Sequence, residues 1–565
     1  QITILTGLIP PIIVVIGIPN SVYLLNKYHR EFRKHGNKIK ALSLVIRRIG
    51  VVTLITNLTT AIGFFVFSFT EVSILHEFGI VASINIMGVF ISSMILIPAI
   101  FAYLPEPKSR ELKHLDFKFF HNILEWLDVI AHSKRRYIYA ITIVLVVVSA
   151  YRVSKINTIS YMVDDVPNDG DLVTDLKFFE ANFGGVMPLE VVVDTKKKKG
   201  VMKLSNLKKI DKLQTYMSEN ENISQGISLA TFVKALTQGF YKGSPDFYRM
   251  PNNQEKNFIL KSIESKEDKI NVTKNFTDST GQKARITFRV KDIGSDKIDS
   301  LVKQVINPQI DSIFAGTDLE AKVTGTTVLF LKGNNFLVNN LQQSLVIAFI
   351  LIALLMAALF GNFKMILISL TPNVVPLIIT GGIMGYFGIP LKPSTAIIFS
   401  IAFGIAVDDS IHYLAKYRQE LFQNNFNVAK AVSISIKETG SSMIYTSIIL
   451  FFGFIIFTFS SFGGTIALGL LTSITLLFAM VTNLTLLPCL IMSFDDGNRP
   501  RKKKMMKKNL IDHYDEELDA DPELDAEMDL DLLDVKGDGE ITAKIYDQKV
   551  EELRKKKNQD SEKEE

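Results

Sequence analysis

Two adjacent carboxylates, Asp408 and Asp409, lie inside a mostly apolar segment that runs from Ala396 to Leu414. The next basic residue is Lys416, about 10 Å further along a helix at 1.5 Å per residue. A short carboxylate side chain cannot reach the membrane surface over that distance, and burying it within a membrane costs a few kcal/mol. Acidic residues in such a position are typical of an ion or proton pathway.

His412 follows four residues after Asp408 and three after Asp409, so on a helix its imidazole lies beside either carboxylate. Imidazole exchanges protons near neutral pH, and burial and neighbouring charges tune both kinds of group. We therefore predict that Asp408, Asp409 and His412 form a proton relay. The alternative is a permanent ion pair that only holds helices together.

The composition indicates a polytopic α-helical membrane protein, since 47% of the 565 residues are hydrophobic and the mean hydropathy is +0.23. A single cysteine, Cys489, excludes an internal disulfide and argues against a cysteine-ligated metal site. The sequence contains no motif for a phosphate loop, zinc site or nucleophile, so we predict no enzymatic activity and no cofactor. About nine spans are expected, near 1–25, 50–69, 73–102, 137–153, 343–360, 365–387, 395–415, 441–460 and 464–492.

Clusters of lysine and arginine predict the orientation of these spans. Basic residues fill the loop at 27–48, the end of the linker at 106–136 and the start of the tail at 496–565, which places all three in the cytoplasm. The expected units are 1–105 (end of a first membrane half), 106–136 (linker), 137–153 (one helix), 154–342 (extracytoplasmic domain), 343–495 (second half) and 496–565 (charged, disordered tail). The predicted location is the cell inner membrane.

An internal repeat relates the two membrane halves. IPNSVYLLNKYHRE (18–31) aligns with VDDSIHYLAKYRQE (407–420), and the match continues at an offset of 390 through Gly63/Gly453 and Pro98/Pro488. Both copies lead into their basic loops on the same side, so the repeat is parallel. Pro19 and Asn20 stand where the second half has Asp408 and Asp409.

The segment 154–342 is polar and lysine-rich, and its apolar runs alternate as in strands. We expect strand 189–194, helix 204–218, strand 284–290, helix 295–313 and strand 320–325, with 221–280 as a less regular insertion. This order predicts a ferredoxin-like α+β domain with a split βαβ unit.

Parallel half-repeats, a large domain after the first helix of a half, and the motif GIAVDDSIHYLAKY (404–417) resemble the resistance-nodulation-division (RND) superfamily, closest to its MmpL-like, hopanoid-exporter-like and Patched-related branch. The resemblance implies six helices per half, so that this chain would correspond to helices 4 to 12 of an N-terminally incomplete protein. It implies that the domain 154–342 is a porter domain. It also implies proton-driven export of lipids or other hydrophobic or amphiphilic molecules.

The repeat also predicts which polar residues surround the acids. Asn20 and Tyr23 are equivalent to Asp409 and His412, and Thr56 and Thr446 recur on the next helix of each half. Asn57 and Ser447 adjoin these threonines and can hydrogen-bond an aspartate or a water chain. For each hydroxyl the alternative is a hydrogen bond to its own helix.

Two other functions fit the same membrane core. One is a sterol-sensing or Patched-like receptor, favoured by three glycosylation sequons at Asn222, Asn271 and Asn275 but disfavoured by the lack of cysteine pairs in the domain. The other is an accessory of protein translocation. For the exporter, the expected partners are an amphiphilic substrate, the membrane, a second or third copy of the chain and a periplasmic adaptor, and no nucleic acid.

Overall fold

The computed structural model describes residues 3–108, 110–112, 118–156, 158–161, 165–167, 170–259 and 272–495. The tail predicted to be disordered, 496–565, lies outside the described residues. The α-helices of six residues or more, in chain order, are α1 (Ile9–His35), α2 (Lys38–Phe65), α3 (Ser73–Tyr103), α4 (Lys118–Ser133), α5 (Arg135–Val153), α6 (Asp171–Phe183), α7 (Leu204–Ser218), α8 (Leu229–Phe240), α9 (Ser295–Ser300), α10 (Asn307–Phe314), α11 (Thr326–Phe360), α12 (Phe363–Phe387), α13 (Pro393–Gln423), α14 (Val428–Ile455) and α15 (Gly463–Phe494).

Within the described residues, nine helices are long and apolar enough to cross a membrane, which confirms the prediction of a polytopic helical protein. They are α1 to α3, α5 and α11 to α15. The hydrophobic window of α13 is 78% buried, whereas that of α5 is only 6% buried. The helix with the two aspartates is therefore the most enclosed span, and α5 lies at the periphery of the bundle.

The basic segment expected as a loop at 27–48 is mostly helical. α1 runs to His35 and α2 starts at Lys38, so only a two-residue turn separates them. Gly36 ends α1 in the left-handed conformation at φ +67°, and the Asn37 side chain accepts a hydrogen bond from the Lys40 backbone at 3.1 Å. A glycine after the last turn and an asparagine cap explain why the connection is so short.

Equivalent helices of the two halves each pack against a helix of the other half. α13 contacts α2 of the first half, and its repeat equivalent α1 contacts α14 of the second half. A Cβ atom added at Gly63 of α2 would lie 2.8 Å from the Cα of Gly404 in α13, so the two backbones come close together there. Small residues allow such close helix packing in membranes. This packing brings the polar residues of the two halves together.

A separate α/β domain (described residues 158–324) stands between α5 and α11. Its sheet has the order β2-β1-β3, with β1 (Met187–Asp194) antiparallel to both β2 (Lys283–Val290) and β3 (Glu320–Thr324). Since β2 and β3 are thereby parallel with β1 between them, and since α9 and α10 connect them, the sheet has a split βαβ topology. Alternate residues of β1 are buried against the apolar face of α7, which explains the alternating sequence pattern.

Three features differ from the expectations. The last membrane half was expected to begin at 343, but α11 begins at Thr326, because its polar turns contain no helix-breaking proline. The segment 221–280 was expected to be less regular, and its described part contains α8, whose Leu229 and Val233 are fully buried in the domain core. The linker 106–136 contains the amphipathic helix α4, which packs against α14 and α15.

Candidate functional site

α13 carries all three residues of the predicted relay near its middle. Asp409 lies 16 residues after Pro393 and 14 residues before Gln423, or about 24 Å and about 21 Å from the two ends of the helix. The helix is unbroken and contacts α2, α11, α12, α14 and α15. The carboxylates are therefore held near the middle of a long, unbroken helix that is packed on several sides.

Asp408 and His412 lie beside each other, one turn apart. The Nε2 atom of His412 is 3.2 Å from Oδ1 of Asp408, and the histidine side chain is 7% exposed. Oδ1 of Asp408 and Nδ1 of His412 are buried and make no hydrogen bond to the described residues. The contact is therefore a close approach of a carboxylate and an imidazole, both of which have unused proton-binding atoms.

His412 also contacts the first half of the molecule. Its ring lies 4.0 Å, centroid to centroid, from the ring of Tyr23 on α1, and the planes are tilted by 33°. Tyr23 is the repeat equivalent of His412, so the two residues meet at the boundary between the halves. The Tyr23 ring covers one face of the His412 ring and restricts its rotation.

Two repeat-equivalent hydrogen bonds flank this contact. In the second half, Ser447 donates to Oδ2 of Asp409 at 3.1 Å. In the first half, the Asn20 amide donates to Oδ1 of Asn57 at 2.7 Å, and the Asn57 amide donates back at 3.3 Å. The same two positions thus hold an ionisable pair in one half and a neutral amide pair in the other.

A small polar cleft joins Asp408 to the amide pair. Its volume is about 10 Å³, close to the space that one water molecule needs. The lining residues come from both halves: Ile16, Pro19, Asn20, Thr56, Asn57, Thr60, Ile405, Asp408 and Leu450. The structure therefore places Asn20, Thr56 and Asn57 around the same small cleft as Asp408.

The two repeated threonines use their hydroxyls locally. Thr56 donates to the carbonyl of Thr53 at 3.1 Å, and Thr446 donates to the carbonyls of Ser442 and Met443 at 3.0 Å each. This is the alternative that the sequence left open for these residues. Ser447, in contrast, reaches a carboxylate.

A second buried network on α13 was not predicted from the sequence. Ser410 donates to Oδ1 of Asn483 at 2.6 Å and accepts from the Asn373 amide at 2.7 Å, and Asn483 donates to Asn373 at 3.2 Å. All three side chains are fully buried. The available signal was an asparagine inside each of two apolar helices, α12 and α15. The network ties both helices to α13 next to Asp409.

An ion-pair cluster lies further along α13, beyond His412. Lys416 binds Glu420 at 2.6 Å and Glu438 of α14 at 2.9 Å. Arg30 of α1 donates to the backbone carbonyl of Glu438 at 2.5 Å. The cluster connects the two halves at the end of the bundle opposite the α/β domain.

Comparisons with known proteins agree with this architecture. The sequence profile of the MMPL family matches residues 3–136 and 166–514, which is most of the chain. The chain is also 22% identical over 390 residues to "Putative membrane protein MJ1562" of Methanocaldococcus jannaschii, covering 67% of this chain and 97% of that protein. The predicted resemblance is thereby confirmed. The chain belongs to the MMPL family, a group of multi-pass membrane proteins within the RND superfamily.

Proposed function

We propose that the chain is a proton-driven exporter of lipids or other amphiphilic molecules. The observation that carries the proposal is the pair of carboxylates at mid-helix in α13, with His412 Nε2 3.2 Å from Asp408 and Ser447 bonded to Asp409. Charged groups in such a position are costly and mark ion or proton pathways. Membership of a transporter family is consistent with this chemistry.

The proposed relay uses both aspartates and the histidine. A proton bound at Asp408 lies within contact distance of the His412 imidazole, and the cleft beside Asp408 has room for about one water molecule. Asp409 holds a second proton-binding site with Ser447 as its partner. Proton binding and release at these sites would change the charge between the two halves, and so favour different packings of α13 against α1 and α2. The proton gradient is the energy source, and no cofactor takes part.

The proposed orientation places the α/β domain outside the cytoplasmic membrane, where it would act as a porter domain that receives the substrate. It rests on the basic residues near Gly36 and the end of α4, at the bundle end opposite that domain. Assembly into dimers or trimers and docking of a periplasmic adaptor belong to the same proposal.

The test is Asp408→Asn and Asp409→Asn, which keep side-chain size but cannot carry a proton. We expect folded protein in normal yield and loss of gradient-dependent efflux of a fluorescent amphiphile from whole cells. Asp311→Asn, an exposed carboxylate of the α/β domain, is the control and should transport normally. A structural ion pair predicts a different result, because breaking a buried pair costs about 3–5 kcal/mol and would lower the yield as well. Parental efflux from both variants would contradict the relay and favour a receptor.

A further inference from the structure

A cavity of about 450 Å³ lies where the α/β domain meets the membrane helices. Its walls come from four places: the segment after α5, the first turns of α11, the start of α13 and the start of α15. The lining residues are Ser160, Tyr161, Asp165, Val166, Phe330, Gly333, Asn334, Leu337, Lys392, Pro393, Ser394 and Phe462. The volume is within the range of sites that bind small molecules.

The polar groups of this cavity are concentrated at the start of α13. Nζ of Lys392 is 2.6 Å from Oδ1 of Asp165, and the lysine side chain is only 12% exposed. The hydroxyl of Ser394 is buried and has no hydrogen-bond partner among the described residues. The positive end of the α13 helix dipole lies at the same place. These features favour a ligand that brings an acidic oxygen atom to Lys392 and Ser394.

The remaining walls are largely apolar and held in place. Phe330, Leu337 and Phe462 face the cavity and offer contact surface to a hydrocarbon chain. The backbone carbonyl of Asp165 accepts a hydrogen bond from the Gly463 backbone at 2.9 Å, and the Ser160 hydroxyl donates to Oδ1 of Asn334 at 2.8 Å. The cavity is thus bounded by fixed elements, and a ligand with one acidic end and one apolar end matches it.

We propose that this cavity binds the head group of an amphiphile with a single acidic group, such as a fatty acid. The acidic group of the ligand replaces Asp165 as the ion-pair partner of the Lys392 ammonium. The proposal rests on the proposed export of amphiphiles and specifies their class. The cavity lies at the start of the helix that carries Asp409, about 24 Å away. Ligand binding at one end of α13 and proton binding at its middle would therefore act on the same element.

The experiment measures equilibrium binding to the full chain in detergent, with radiolabelled oleate as the acidic probe, oleyl alcohol as the neutral probe and oleylamine as the cationic probe. We expect oleate to bind about tenfold more tightly than oleyl alcohol. Lys392→Gln should remove this preference and Lys392→Arg should keep it. Lys332→Gln is the matched control, because Lys332 is an exposed lysine of α11 that does not line the cavity.

Asp165→Asn distinguishes a binding site from a structural ion pair. Removal of the competing carboxylate should tighten oleate binding and weaken oleylamine binding. The proposal is overturned if Asp165→Asn weakens oleate binding as Lys392→Gln does, if Lys392→Gln keeps the preference, or if oleylamine binds best. Binding is measured in detergent and needs no proton gradient. Normal oleate preference in a protein that shows no proton-dependent efflux would contradict the export proposal alone.

Discussion

The two membrane halves share one backbone design but differ at its centre. Asn20 and Asn57 form a neutral amide pair in the first half, while the equivalent Asp409 and Ser447 form a pair that can ionise in the second. The amide pair uses the hydrogen-bonding groups of both side chains, so it stabilises the contact of α1 and α2 without exchanging protons. Among the described residues, the acidic groups at this centre come from the second half, while the first half contributes neutral side chains.

The largest expected effect comes from moving the carboxylate between the halves. In the double variant Asn20→Asp, Asp409→Asn, the acid occupies the equivalent position of the first half. We expect no proton-dependent efflux, because Pro19 and Tyr23 stand where Asp408 and His412 stand in the second half. Asn20→Asp alone is the control. It should keep efflux but lose about 2.5–3.5 kcal/mol of stability through burial of a charge. Efflux by the double variant would show that the halves are interchangeable.

A smaller effect is expected on stability, where the Asn20–Asn57 and Asp409–Ser447 hydrogen bonds should contribute different amounts. Asn57→Ala leaves the buried amide of Asn20 without its partner, which costs about 1–3 kcal/mol. Ser447→Ala removes one hydrogen bond, worth about 1 kcal/mol, from Asp409, which is less buried than Asn20 and can be solvated instead. Thermal unfolding in detergent should therefore show the larger decrease for Asn57→Ala. Asn85→Ala, at an exposed position of α3, is the matched control. A larger loss for Ser447→Ala would mean that the second-half pair is the main structural contact.

The smallest effect is expected at Glu255 of the α/β domain, whose carboxylate has several hydrogen-bond partners. Glu255 serves as a comparison for Asp408, whose Oδ1 has no hydrogen bond to the described residues. Glu255 accepts hydrogen bonds from Arg249 at 2.9 and 3.0 Å and from Tyr241 at 2.6 Å. These bonds lower the pKa of Glu255 from 4.5 to about 2. The stability it adds is therefore fully present above pH 4.5 and is lost as the pH falls toward 2.

Amide hydrogen exchange of residues 229–259, measured as a function of pH, tests this prediction. Protection in the parent protein should decrease as the pH falls from about 4.5 toward 2. Glu255→Gln should remove part of this pH dependence, while Glu219→Gln, at an exposed glutamate of the same domain, should not. An unchanged profile in Glu255→Gln would show that its hydrogen bonds contribute nothing to the domain. Glu255 would then not be a valid comparison for Asp408, whose Oδ1 has no hydrogen bond to the described residues.

Features that depend on neighbours in sequence were predictable. The spacing of Asp408 and His412 follows from the helix repeat, and the contact at 3.2 Å agrees with it. The strands expected at 189–194 and 284–290 differ from the observed ones by at most two residues, because alternating burial has a local signature. The start of α11 was missed because hydropathy windows detect apolar membrane segments and not the polar turns that continue the same helix.

By itself, the sequence determined the number of spans, their parallel repeat and the acidic pair on α13, since all three are local patterns of apolarity and spacing. Only the tertiary structure decided which polar side chains form hydrogen bonds or ion pairs with each other. Asn20 bonds to Asn57, Ser410 to Asn483 and Lys392 to Asp165 because separate helices and loops come together in space. An asparagine or serine in a membrane helix can bond to its own backbone or to a neighbour with similar energy. The packing of the helices, which brings one partner within about 3 Å, makes that choice.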